Sequence, residues 1–232
     1  MIIKKKNRSE VEKEAAARIA ISIDDLLKKK GKVVLAVCGG RSVQGIFELL
    51  RSANIDWHNV HIFMVDERLV PINSNESNFK LVNGYLLDYL VKKGTLQSKN
   101  IHPFLYSGKI TDDLKKYEAE LKELSDCFDI AILSSGEDGH IAALFPNHPT
   151  VKSKGQYFIY THDSPKLPRE RMSSSPALLS RTKICFLLFL GEEKRTALDR
   201  FNDQKNTIVD CPAKIVKDAK IYYVLTDLPE SP

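Results

Sequence analysis

Lys32-Val33-Val34-Leu35-Ala36-Val37-Cys38-Gly39-Gly40-Arg41-Ser42 reads as a short β-branched, apolar run closed by two glycines. Beyond it, Val43, Ile46, Phe47 and Leu50 recur at the spacing of one helix face, so the segment predicts strand, glycine turn and helix. Upstream, Val11, Ala15, Ile19 and Leu26 mark an amphipathic helix, with Ser9 its expected N-cap and Gly31 just past its end. Downstream the alternation continues with a strand at 60–65, a polar loop through Asn75, a helix from 78 to about 90, a helix at 111–124 and a strand at 128–133. Strands at 157–161 and 183–190, a helix at 192–201 and a strand at 221–225 follow, while Pro165, Pro168 and the serine run Ser173 to Ser175 mark a long irregular segment between the first two. Continuous apolar strands alternating with helices imply a mostly parallel sheet covered on both faces. The expectation is a doubly wound, Rossmann-like α/β fold, with residues 1–232 forming a single domain.

The 232 residues are 43% hydrophobic and 28% charged, enough to bury a sizeable core. The longest apolar run, 184–190, suits a buried strand and falls far short of the roughly 20 residues of a membrane-spanning helix. No secretory signal precedes the first helix, and Cys38, Cys127, Cys185 and Cys211 lie far apart without a CxxC pair or zinc spacing. These features predict a soluble cytoplasmic protein with reduced thiols and no structural metal. The net charge of +5 is spread among 30 acidic residues and reads as a solvated surface. The basic run at 4–8 reads as a frayed end or the approach to the first helix, not as a nucleic-acid arm. Neither a nucleic-acid nor a membrane partner is expected, and the chain is expected to be a monomer or small homo-oligomer.

In a doubly wound fold, ligands bind beyond the carboxyl ends of the strands, and three loops there are unusual. In Cys38-Gly39-Gly40-Arg41-Ser42 the glycines allow close backbone approach and the next helix offers unpaired N–H groups. Phosphate suits such a site, with Ser42 and Arg41 as donors, although a tight turn is the plain alternative. The spacing matches neither GxGxxG nor GxxxxGK[ST]. In Asp66-Glu67-Arg68, extended backbone would turn Asp66 and Arg68 to one side and Glu67 to the other; a surface charge cluster is the alternative. In Gly136-Glu137-Asp138-Gly139-His140, a turn at Gly139 would let Asp138 orient the His140 ring as a general base, where a structural histidine is the alternative. Arg171 and Lys194, near a strand end and a helix start, are candidate phosphate cations.

Together these segments resemble the 6-phosphogluconolactonase family, whose relatives include the glucosamine-6-phosphate isomerase/deaminases. The most specific stretch, Gly136 through His140 to Leu144-Phe145-Pro146, looks like the family's Asp-Gly-His signature. Cys38 to Ser42 is similar to its phosphate loop, Val65 to Arg68 to its Asp-Glu-Arg motif, Ser77-Asn78 to the serine-asparagine after it, Arg171-Met172-Ser173 to its Arg-hydrophobic-Thr/Ser element and Gly191 with Lys194 to its glycine-x-x-lysine. Val43, Ser134, Glu137 and Ala143 depart from the family's usual residues. The deaminase branch is expected to show Phe-Asn-Glu-Pro and Asp-Glu-Tyr where this chain has Leu144-Phe145-Pro146 and Asp66-Glu67-Arg68.

The resemblance implies hydrolysis of 6-phosphogluconolactone to 6-phosphogluconate in the oxidative pentose phosphate pathway, without metal or organic cofactor. It implies His140 as base, Asp138 as its orienting partner, and Arg68 with Asp66 beside the carbonyl oxygen. Gly39, Gly40, Arg41, Ser42, Arg171 and Lys194 are left to bind the phosphate of a small sugar phosphate. A deaminase or a non-catalytic sugar-phosphate sensor is the alternative on the same fold.

Overall fold

The computed structural model describes residues 1–229. Seven strands form one sheet in the order β1 (Ile2–Lys4), β10 (Ile221–Thr226), β9 (Ile184–Phe189), β6 (Ile130–Ser134), β2 (Val33–Val37), β3 (Val60–Met64) and β5 (Ile101–His102), all pairs parallel. The chain enters the middle of the sheet at β2, runs outward through β3 to β5, then returns to β6 and runs the other way. Crossovers between parallel strands are right-handed as a rule, so running in two directions from the middle of the sheet puts helices on opposite faces and makes the fold doubly wound. The order reverses between β2 and β6, and their carboxyl ends open the crevice. Val37 pairs with both Met64 and Ile132, so the three loops beyond β2, β3 and β6 leave the sheet at the same level.

The first helix, α1 (Arg8–Lys30), buries Val11, Ala15, Ile19 and Ile23, a stripe repeating every four residues. Its N-cap is Asn7, whose side-chain oxygen accepts from the Glu10 N–H at 3.0 Å; the expected Ser9 lies inside the first turn. Gly31 closes the helix in the left-handed region, as its position suggested. Against α1 packs α2 (Gln44–Arg51), where a Cβ on Gly45 would stand 2.3 Å from the Glu12 carboxylate. The expected helix from residue 78 is three pieces, α3 (Asn78–Val82), a π turn (Asn83–Leu87) and α4 (Asp88–Lys92). Next comes α5 (Ile110–Lys122).

Three expectations need correction. Asp66–Arg68 forms a strand, β4, and the supposed irregular stretch through the serines contains β8 (Arg171–Ser174) and α6 (Pro176–Ser180). The strand expected at 157–161 is β7 (Phe158–Thr161), and it joins β4 and β8 in a separate antiparallel sheet, not the parallel one. Of the two readings of the run at 4–8, the approach to the first helix holds: β1 pairs with β10 up to Lys4, and α1 begins at Arg8. Helix α7 (Arg195–Asn202) follows a 3₁₀ turn at Glu192–Lys194. Among the described residues no helix is long and apolar enough to cross a membrane.

Candidate active site

The loop after β2 depends on its glycines. A Cβ on Gly39 would lie 2.2 Å from Asn78 Oδ1, so only glycine lets the loop lie against the start of α3, and Gly40 has φ 103°. Ser42 is buried in the 3₁₀ turn that leads into α2. Arg8 braces this loop from α1: Nη2 donates to the Arg41 carbonyl at 2.5 Å and Nε to Glu12 at 2.8 Å.

Strand β4 alternates as its sequence suggested. Asp66 and Arg68 line the cleft, while Glu67 turns into the protein. The Glu67 carboxylate accepts from the N–H groups of Asn78 and Phe79 at 2.7 Å, from Ser77 Oγ at 3.0 Å and from its neighbour Arg68 N at 2.7 Å. It thereby caps α3 and ties it to β4. Burial pushes the Glu67 carboxyl above the usual range against these four donors. Glu67→Ala leaves those donors without a partner, and a loss of about 3 kcal/mol in urea unfolding is expected; an unchanged midpoint would mean that they find other acceptors. Asn78, fastened by Glu67, donates Nδ2 to the Asp66 carboxylate and carbonyl at 3.0 Å.

The loop after β6 builds the His140 pair. Gly139 has φ 92°, and its carbonyl accepts from Ala213 N at 2.9 Å, which fixes the turn. Within that turn Asp138 Oδ1 lies 3.2 Å from His140 N and 2.5 Å from Nδ1. A carboxylate only accepts, so Nδ1 carries a proton, and in the neutral ring the lone pair is therefore on Nε2. Burial would raise the Asp138 carboxyl, but the His140 hydrogen bonds and charge and the charge of Lys166 outweigh it and hold the group well below the usual carboxylate range. The centroid of the His140 ring lies 4.7 Å from that of Phe145, and beside the ring Gly136 leaves room that a Cβ would fill 2.0 Å from the imidazole.

The three loops converge on a cleft of about 250 Å³. Of the residues singled out by sequence, Gly39, Gly40, Arg41, Ser42, Asp66, Arg68, His140, Arg171 and Lys194 all line it, with Asp138 behind His140. Arg171 is 4% exposed and half committed: Nε donates to the Pro168 carbonyl at 2.9 Å, and Nη2 to the Lys166 and Leu167 carbonyls at 3.1 and 3.0 Å. Arg68 gives Nη1 to the Glu76 carbonyl at 2.5 Å, and its Nε is buried without a hydrogen-bond partner among the described residues. Lys194 is half-buried; burial lowers its pKa against the pull of Glu137 and Glu193.

Arg8, Lys166 and Glu193 complete the wall and were missed by sequence reasoning, as was any role for Asn78. Arg8 was set aside with the basic run, and Lys166 lies between two prolines that marked only an irregular segment. The cleft's six cations (Arg8, Arg41, Arg68, Lys166, Arg171, Lys194) face two carboxylates, Asp66 and Glu193. Such an excess suits a strongly anionic ligand.

Residues 6–224 match the family of glucosamine-6-phosphate isomerases/6-phosphogluconolactonase. The chain belongs to this family. It is 35% identical over 196 residues to 6-phosphogluconolactonase of Borreliella burgdorferi, covering 84% of this chain and 83% of that one. With the Thermotoga maritima 6-phosphogluconolactonase it shares 33% identity over 177 residues, 76% of this chain and 78% of the relative. The crystal structure of a 6-phosphogluconolactonase from Thermotoga maritima superposes with a TM-score of 0.85 at 26% identity, covering 97% of both chains. That of a putative 6-phosphogluconolactonase from Neisseria gonorrhoeae gives 0.80 at 30% identity, again covering 97% of both.

Proposed function

We propose that this family member is a hydrolase that opens 6-phosphogluconolactone to 6-phosphogluconate, the lactonase step of the pentose phosphate pathway, with the cytoplasm as its compartment. The observation that carries the reading is the His140 ring, proton-locked by Asp138 at 2.5 Å and set in a strongly cationic cleft. The family relatives named above support the substrate. All four cysteines are free thiols, in keeping with a reducing compartment.

Ser42, the amides around Gly40, Lys194 and the Nη1 of Arg171 hold the phosphate, so that binding energy remote from the reacting bond orients the lactone. His140 Nε2 takes a proton from water as the water oxygen bonds to the lactone carbonyl carbon. Negative charge moves to the carbonyl oxygen, where Arg68 and nearby backbone donors stabilise it, while Asp66 accepts from a sugar hydroxyl. The intermediate collapses by breaking the bond to the ring oxygen, which receives the imidazolium proton. The new carboxylic acid releases its proton to solvent, leaving carboxylate and neutral His140.

Freshly generated 6-phosphogluconolactone is expected to be hydrolysed well above the spontaneous rate, with no ammonia released from glucosamine 6-phosphate. Ammonia release without lactone hydrolysis would move the protein to the deaminase branch.

A further inference from the structure

One half-exposed lysine stands on an unusually well-fastened piece of backbone. Ser164, 1% exposed, accepts from Lys166 N at 3.2 Å through Oγ, and its hydroxyl donates to the Lys166 carbonyl at 3.0 Å. The buried Arg171 guanidinium donates to the carbonyls of Lys166, Leu167 and Pro168 in turn. Above this scaffold the Lys166 side chain lines the cleft, 43% exposed, with Nζ 4.0 Å from Asp138 Oδ2. His140 uses the other oxygen of that carboxylate, Oδ1, so Lys166 stands beside the catalytic pair. At 4.0 Å the ammonium makes no hydrogen bond to Asp138 and keeps its donors for a ligand.

The other cations of the cleft have partners or roles of their own: Lys194 and the Nη1 of Arg171 are assigned to the phosphate, and Arg68 meets the carbonyl oxygen from its own side of the cleft. Arg8 is bound to Glu12 and the Arg41 carbonyl, Arg68 to the Glu76 carbonyl, and Arg171 to the 166–168 turn. Arg41 belongs to the phosphate loop. The proposed reaction creates a second negative charge at the His140 end: first on the carbonyl oxygen, then as a full carboxylate.

We infer that Lys166 is a catalytic cation that binds the oxygens on C1, meeting the carbonyl oxygen as it gains charge and the carboxylate once the ring has opened. The inference rests on the proposed lactonase reading and adds a residue to it. A lysine suits the task because its compact charge, on a flexible stem above fixed backbone, follows the oxygens as the carbonyl becomes a carboxylate.

The test compares binding of 6-phosphogluconate with glucitol 6-phosphate, which has the same carbon chain and phosphate but a hydroxymethyl group in place of the carboxylate. Wild type is expected to prefer the acid on the order of tenfold, the value of one charge-assisted contact. Lys166→Met abolishes that preference while leaving glucitol 6-phosphate binding unchanged, Lys166→Arg restores part of it, and in turnover Lys166→Met lowers kcat more than it raises KM. A variant that keeps the preference, or that loses both ligands alike, overturns the inference, the latter because only the loop would have been damaged. A wild type that hydrolyses the lactone but shows no preference for the acid overturns this inference alone. A wild type without lactonase activity removes the underlying reading and this inference with it.

Discussion

His140→Ala is expected to reduce kcat/KM for 6-phosphogluconolactone by about 10² to 10⁴, the range for losing a positioned general base. Most of the loss should appear in kcat. The proposed phosphate ligands come from the loop after β2, from β8 and from the turn before α7, and none depends on the imidazole. The spontaneous opening of the lactone sets the floor, so rates must be corrected for it. Full corrected activity in the variant would remove His140 from the mechanism. Asp138 should matter through the same ring: with Nδ1 no longer held at 2.5 Å, the proton is free to sit on either nitrogen and the base is present only part of the time.

The second large effect concerns a residue with no side chain. In Gly136→Ala the new Cβ would fall 2.0 Å from Cε1 and Nδ1 of His140 and 2.7 Å from Asp138 Oδ1, closer than atoms can approach. Either the ring or the loop must move. The loop is held at both ends, by Ser135 N on the Leu188 carbonyl at 3.0 Å and by Gly136 N on the His140 carbonyl at 2.8 Å, so the ring is expected to yield. Displacing a base by about 1 Å costs on the order of 10² in rate. The thermal midpoint should fall much less than for Glu67→Ala, because no buried donor is orphaned. Combining Gly136→Ala with His140→Ala should be no slower than His140→Ala alone, since both remove one function. Wild-type turnover in Gly136→Ala would show that the ring geometry described here is not the working one.

These two variants also mark how far the site could be read along the chain. Asp138, Gly139 and His140 were legible because a turn brings near neighbours together. The alternation of Asp66 and Arg68 was legible because period two is a property of extended backbone. Glu67, by contrast, looked like one more charge at a strand end; that it caps α3 from the other side of β4 depends on where the polar loop through Asn75 returns. Arg8 and Lys166 were passed over for the same reason. Arg8 reaches the cleft only because α1 packs on α2, and Lys166 because Arg171 and Ser164 pin its loop.

The amino-acid sequence by itself determined that the sheet is mostly parallel and gave five of its strands, the principal helices and the three segments that carry the chemistry, while β1 and the two-residue β5 left no such pattern. Apolar periodicity and glycine turns are written in contiguous residues, and the long strands need no distant partner to be recognised. The tertiary structure alone decided the small antiparallel sheet, the membership of β7 in it, the N-terminal strand and the complement of cations around the cleft. Strands β1, β4 and β8, three or four residues each, carry too little pattern of their own and exist through pairing with residues far along the chain. A cation's place in a cleft is likewise set by the crossovers that fold remote segments together, and no local pattern in the sequence records it.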